Sequence, residues 1–198
     1  MLSRLYGYVE GFFASSASIF HSAGMSPNNI TFLGFLCIAF SSIVYATGLL
    51  PLYYWLLAFL LLMAAGFFDA LDGAMARRYK HVSKVGGILD SVLDRLGEVL
   101  LYAGIAVGGF TPFLISLWAL SASLMVSYVR ARVEVEGFTL KGVGIAERPE
   151  RLLIVLVATL LFPILNYSLY WGLLLVSVLA TVTVVERVYQ AWKILAKV

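Results

Sequence analysis

PLYYWLLAFLLLMAAGFFDALDGAMAR, residues 51–77, holds eighteen positions without a charge, Pro51 to Phe68, and then Asp69, Asp72 and Arg77 within nine. Eighteen helical residues rise about 27 Å, close to the roughly 30 Å hydrocarbon core of a bilayer. Backbone polar groups cannot stay unpaired in lipid, so such a segment is a helix or part of a closed barrel. Strict two-residue alternation is absent, which leaves a helix. Its apolar body therefore ends in two carboxylates.

The rest of the chain repeats this pattern. No Asp, Glu, Lys or Arg occurs from Gly11 to Phe68, from Val99 to Val129, or from Leu152 to Val185. Of the 198 residues 62% are hydrophobic and 13% charged, against roughly 45–50% and about 25% in soluble domains. A water-soluble domain, a disordered chain and a disulfide scaffold are excluded, and the single Cys37 packs in an apolar span. Divided at turn-forming residues, the sequence predicts an all-α integral membrane protein with six transmembrane helices: Asn29–Gly48, Pro51–Ala76, Val85–Val107, Thr111–Arg132, Arg151–Ile164 and Ser168–Leu195.

Basic residues set the orientation. Arg77, Arg78, Lys80 and Lys84 lie between spans two and three, and Arg130, Arg132, Lys141, Arg148 and Arg151 flank the connection of spans four and five. Arg187, Lys193 and Lys197 lie at the C-terminus and Arg4 at the N-terminus, whereas the opposite loops carry no charge. The positive-inside rule places both termini in the cytoplasm of a multi-pass protein of the cell membrane, with the charged loops. Ahead of span one, Leu2, Leu5, Val9, Phe12, Phe13, Ile19 and Phe20 recur at helical steps, with Arg4 and Glu10 off that face. This predicts an interfacial amphipathic helix over residues 1–22 before a six-helix domain over 23–198. A cleaved signal would need an apolar run that Glu10 interrupts. Ser26-Pro27 supplies a cap and a proline for the start of span one.

Chemistry concentrates at Asp69, Asp72, Asp90 and Asp94. Spacings of three and four put each pair on one helix face. The short loop between spans two and three predicts antiparallel neighbours, so the four carboxylates converge between them. Such like charges need a cation, and an all-oxygen set suits Mg²⁺ or Mn²⁺ better than zinc. Two ions could clamp a phosphoryl displacement. Gly73 and Gly86 allow close approach of a ligand, and Arg77 can neutralise a phosphate. The alternative is four solvated aspartates at helix ends, with Asp90 and Asp94 favoured by the helix dipole.

The string Asp69-x2-Asp72-Gly73-x2-Ala76-Arg77-x8-Gly86-x3-Asp90-x3-Asp94 resembles the signature of the CDP-alcohol phosphotransferases at every fixed position. Ser26-Pro27-Asn28-x2-Thr31 and the six-span topology extend the likeness. The resemblance implies transfer from a CDP-lipid to an alcohol with release of CMP, in a homodimer among membrane lipids, without a nucleic-acid partner. It implies metal ligation by Asp69, Asp72 and Asp90, with Asp94 as general base that can also touch a second metal. Asn28, Thr31, Asp72, Gly73, Ala76, Arg77 and Gly86 would hold the CDP-lipid, although capping alone explains Ser26, Asn28 and Thr31 equally well. Arg95 and Glu98, three apart, read as a supporting ion pair.

The strings Ser127-Tyr-x-Arg130-Ala-Arg132-x-Glu134 and Glu147-Arg148-Pro-Glu150-Arg151-Leu resemble the phosphatidylinositol-phosphate synthase branch and its archaeal relatives. That likeness implies a phosphorylated polyol acceptor, inositol 1-phosphate, held by Ser127, Arg130, Arg151 and Arg187. The branch often has lysine where Arg130 stands. Guanidinium groups suit phosphate, and arginines beside lipid are costly unless they have such work. The competing reading is positive-inside anchoring, with Arg148 and Arg151 paired to Glu147 and Glu150. Glycerol 3-phosphate, as in phosphatidylglycerophosphate synthases, is the other anionic acceptor. A divalent-cation transporter would place its carboxylates near mid-membrane rather than at cytoplasmic helix ends, and a scaffold without chemistry would tolerate loss of Asp94. His21 and His81 have no metal-ligand companions and read as incidental.

Overall fold

The structure, a computed structural model, describes residues 2–49, 51–81, 83–140 and 142–196, with side chains described from Gly11 onward. Among the described residues seven helices follow in order: α1 (Leu2–Ser22), α2 (Pro27–Ala46), α3 (Leu52–Arg78), α4 (Lys84–Val107), α5 (Phe113–Val135), α6 (Arg148–Leu161) and α7 (Ser168–Leu195). No strand occurs among the described residues. The protein is all-α, and α2, α3, α5 and α7 are long and apolar enough to cross a membrane. α4 has 24 residues but carries Asp90, Asp94, Arg95 and Glu98. α6 has 14 residues, about 21 Å of rise and short of a full hydrocarbon core.

Local starts follow the sequence. Ser26 caps α2 by accepting from the Asn29 amide at 3.3 Å, with Pro27 in the first turn. Ser83 does the same for α4, accepting from the Gly86 amide at 3.0 Å.

Packing departs from the predicted order of neighbours. The short connection does not bring α3 and α4 together; α2 wedges between them and packs extensively on both. Small residues permit this, as in membrane bundles generally. A Cβ added at Gly34 of α2 would meet the Phe68 Cβ at 3.3 Å, and one added at Gly104 of α4 would stand 2.4 Å from the Ser42 carbonyl oxygen. α3 and α4 are thus splayed, and their aspartates face a gap rather than a packed seam.

The remaining helices close the bundle: α5 lies on α7 and α4, and α6 on α7 and α3. The main core joins Ile38, Tyr45, Leu62, Leu101, Val155 and Leu173, drawn from α2, α3, α4, α6 and α7. Inside it the Tyr45 hydroxyl meets Thr159 Oγ1 at 2.5 Å, so neither buried hydroxyl is left unpaired.

α1 runs along the charged end of α3. Phe13, Ala17 and Phe20 pack with Phe67, Phe68, Leu71 and Met75, and Arg78 Nη1 donates to the Ala14 carbonyl at 3.1 Å. Phe12 and Ile19 remain exposed. The amphipathic pattern of Leu2, Arg4, Leu5, Val9 and Glu10 rests on side chains outside the described residues, as do Lys141 and Lys197 of the basic-loop pattern.

Candidate active site

Asp69 and Asp72 stand on the last turns of α3, and Asp90 and Asp94 near the start of α4. Asp69, Asp90 and Asp94 each bring a carboxylate oxygen within 4.8 Å of the other two. Arg148, the first residue of α6, donates through Nη1 to Asp69 Oδ1 and lies 2.9 Å from Asp94 Oδ1. Arg95 Nη1 is 3.5 Å from the other Asp94 oxygen. Asp90 has no such neighbour: its Oδ1 is buried without a hydrogen-bond partner among the described residues. A buried carboxylate oxygen left unpaired is costly, and three convergent carboxylates with one orphaned oxygen fit a hard divalent cation. Asp72 stands apart from this trio. It is 8% exposed, and its Oδ2 accepts from Thr31 Oγ1 at 2.6 Å.

Thr31 and Asp72 lead into a cavity of about 140 Å³, which Asn28, Gly73, Ala76 and Gly86 also line, with Asp90 on its wall. The residues implied for the CDP-lipid are therefore gathered, except Arg77. The Arg77 guanidinium lies against Gly73 instead, where an added Cβ would meet Nη1 at 3.1 Å. At Gly86 an added Cβ would stand 2.9 Å from Ser83 Oγ and 3.0 Å from Asn28 Oδ1, so a side chain here would displace the Ser83 cap and Asn28 at the cavity. His81 and Ser83 share this cavity, which the sequence reading missed. The capping pattern of Ser83 was the available signal. His21, far earlier in the chain, stacks on Tyr79 at 3.7 Å between ring centres.

On the other side of the aspartates lies an open basin of about 870 Å³. Ser127, Arg130, Arg151 and Arg187 all line it, together with Asp69, Asp90, Asp94, Arg95 and Arg148. The arginines differ in how they are held. Arg130 is half exposed and bonded to Glu134 through Nε at 2.9 Å. Arg151 is 1% exposed and grips Glu98 with Nε at 2.8 Å and Nη2 at 3.0 Å, while Nη1 donates to the Ala146 carbonyl at 2.7 Å. Arg187, equally buried, donates to the Val143 and Val126 carbonyls at 2.9 and 2.8 Å and to Glu147 Oε1 at 2.7 Å.

Two pairings read from sequence neighbours are corrected by these contacts. Glu98 pairs with Arg151 rather than Arg95. Arg148 and Arg151 bind Asp69, Asp94 and Glu98 rather than Glu147 and Glu150. In each case burial between helices selected a facing partner over one on the same helix. Arg148, not among the sequence-derived site residues, sits nearest the aspartate trio.

A splayed helix pair with a carboxylate row, a small polar cavity on one side and a cationic basin on the other defines a class. The family model described as CDP-alcohol phosphatidyltransferase matches residues 24–184. The chain belongs to that family, and so is a transferase of phospholipid synthesis with membrane helices. Among curated proteins it is 38% identical over 193 residues to the archaetidylinositol phosphate synthase of Pyrococcus horikoshii, covering 98% of this chain and 97% of that one. It is 41% identical over 165 residues to the archaetidylinositol phosphate synthase of Methanothermobacter thermautotrophicus, covering 83% and 82%. Among solved structures, Mycobacterium tuberculosis phosphatidylinositol phosphate synthase with CDP-DAG bound superposes with a TM-score of 0.78 at 26% identity, covering 91% of this chain and 93% of that one. The same enzyme in complex with manganese and citrate also gives 0.78 at 26% identity, covering 91% and 88%.

Proposed function

We propose that the chain transfers the phospholipid moiety of a CDP-lipid to inositol 1-phosphate, releasing CMP and forming an inositol-phosphate phospholipid. The observation that carries this reading is that the small cavity and the basin share Asp72, Gly73 and Asp90 as a common wall. Displacement at phosphorus needs the attacking and leaving oxygens on opposite sides of the reacting centre. Two cavities meeting at one carboxylate row provide those sides. The nucleotide occupies the cavity of Asn28, Thr31, Gly73, Ala76 and Gly86, with Arg77 at its edge, and the acceptor enters from the basin.

Asp69, Asp72, Asp90 and Asp94 would hold Mg²⁺ or Mn²⁺, two ions per site. When bound, these ions supply charge stabilisation for the oxygens of the reacting diphosphate. The chain's own groups do the rest. Asp94 takes the proton of the acceptor hydroxyl, whose oxygen bonds to the lipid-bearing phosphorus as the bond to CMP breaks. The guanidinium groups of Arg130 and Arg148 meet the acceptor phosphate, helped by Ser127. Arg151 and Arg187, each held through at least three of its five N–H donors, line the basin as fixed positive charges. A neutral polyol would need none of this positive charge.

In the membrane, α4 and α6 complete six spans with α2, α3, α5 and α7. α4 hides its charges on the site, and the shorter α6 opens at Arg148 in the cationic basin. α1 lies at the cytoplasmic interface as a separate element over residues 1–22, and the six-helix domain follows over 23–198. The termini and the site face the cytoplasm, because the basic residues cluster there and the opposite loops lack charge. The enzyme works as a homodimer in the cell membrane.

The test is CMP release by purified enzyme with CDP-archaeol or CDP-diacylglycerol and Mg²⁺, offering inositol 1-phosphate, glycerol 3-phosphate, free inositol and serine in turn. Turnover confined to inositol 1-phosphate, abolished by EDTA and by Asp94→Asn, is the expected result. Preference for glycerol 3-phosphate would overturn the acceptor assignment and leave the aspartate chemistry standing.

A further inference from the structure

We propose that Thr183, on α7, is a positioning residue for acceptor binding: it fixes the strap of residues 143–147 and, through it, Arg148. The inference rests on the reading of Arg148 as an acceptor-phosphate group. Thr183 is fully buried, and its hydroxyl is saturated. It donates to the Leu179 carbonyl at 2.9 Å and accepts from the Ile145 and Ala146 amides at 3.2 and 3.1 Å. One hydrogen and two lone pairs are all a hydroxyl has.

The strap is built around this side chain. Gly144 has φ +100°, and a Cβ added there would stand 2.2 Å from Thr183 Cγ2. One helical turn further on, Arg187 holds the Val143 carbonyl and Glu147 Oε1, while Arg151 holds the Ala146 carbonyl. Phe138, Leu140 and Val143 pack the preceding loop against Val184 and Ala191 of α7. Glu147 then stands at the N-cap position of α6 with its carboxylate held by Arg187 rather than by the helix, so no slack separates the strap from Arg148 and its contacts with Asp69 and Asp94. Thr183 does not border the basin, and its effect on the acceptor passes entirely through this backbone. Displacement of a phosphate-binding group by about 1 Å is enough to cost a large part of its effect.

The experiment measures KM for each substrate and kcat in full-length Thr183→Val and Thr183→Ser. Valine keeps the shape and deprives two buried amides of their acceptor, whereas serine keeps the hydroxyl. The expected result for Thr183→Val is a rise in acceptor KM of about tenfold, with the CDP-lipid KM changed by less than about twofold. Thr183→Ser restores the acceptor KM. An unchanged acceptor KM in Thr183→Val overturns the proposal. So does a parallel change in both KM values and kcat, which would mark general damage. If the valine variant does not fold, the smaller Thr183→Ala is compared with serine by the same criteria. Should the wild-type enzyme prefer glycerol 3-phosphate, the comparison run with that acceptor still decides the role of Thr183. An enzyme that uses no phosphorylated acceptor refutes both readings.

Discussion

Replacing Glu98 by alanine strips Arg151 of both carboxylate oxygens, at 2.8 and 3.0 Å, and leaves it only neutral partners, the Ala146 carbonyl and the Tyr102 hydroxyl. The pair is deeply buried, with side-chain exposures of 1% for Arg151 and 8% for Glu98. An uncompensated buried charge costs about 3–5 kcal/mol. Because Arg151 borders the basin, water can reach the bared charge, so the lower end, about 3 kcal/mol, is expected. At roughly 2–4 °C per kcal/mol for a chain of this size, Tm falls by about 6–12 °C. Thermal unfolding of the detergent-solubilised protein measures it. The double variant Glu98→Leu with Arg151→Met removes both charges and recovers most of the loss, because the cost lies in the orphaned partner rather than in the missing bond. A Tm within about 2 °C of wild type for Glu98→Ala, or a double variant no more stable than the single one, would refute this account.

Two further outcomes follow from named contacts. Asp90→Asn weakens Mn²⁺ binding by at least about tenfold in a titration of the purified protein and lowers kcat/KM by about a hundredfold or more; unaltered metal affinity would remove Asp90 from the ligand set. Thr31→Val deprives Asp72 of its 2.6 Å hydrogen bond and raises the CDP-lipid KM about fivefold to tenfold with little change in the acceptor KM, whereas a selective rise in acceptor KM would place Thr31 on the wrong side of the carboxylate row.

The parts of this protein legible in its sequence are those set by local chemistry. Charge-free blocks mark helices because lipid admits no unpaired backbone, and α2 to α7 coincide with the six predicted segments to within a few residues. Ser26 announces the start of α2 because a cap acts within one turn. Asp90 and Asp94 share a face because four residues make a turn, and Asp69 joins them, whereas the expected convergence of all four carboxylates fails at Asp72, which turns to Thr31 instead. Arginine partners were not legible. Arg95 and Glu98 are three apart on one helix, yet Glu98 instead takes Arg151, 53 residues away. Arg148 reaches Asp69 across 79 residues and Arg187 reaches Glu147 across 40. Neighbours on one helix offer a weak exposed pair, whereas a guanidinium carried into a bundle needs a carboxylate or carbonyl on the opposing element. Which element opposes it is decided by packing.

That packing also explains why the carboxylate row is accessible at all. If α3 and α4 packed side by side, as a five-residue connection suggests, four aspartates would share one narrow seam and repel without room for a diphosphate. Gly34 and Gly104 instead let α2 close against both helices, so that α3 and α4 meet at the aspartates through carboxylates, Asp69 within 4.8 Å of Asp90 and Asp94, rather than along a packed seam. Asp72, Gly73 and Asp90 line both the small cavity and the basin, which the proposed reaction gives to the nucleotide and the acceptor. Gly73 at that shared wall has no side chain to obstruct passage between them, and the nearest heavy atom to an added Cβ belongs to Arg77. The glycines of α2 and α4 thus let α2 pack closely on its two neighbours, while the glycine of the aspartate signature lines both cavities and leaves room for the Arg77 guanidinium. On the proposed reaction, a substitution at either kind of glycine impairs transfer for different reasons: the first by forcing α2 away from α3 or α4, the second by displacing the Arg77 guanidinium at the shared wall of the two cavities inside an intact fold.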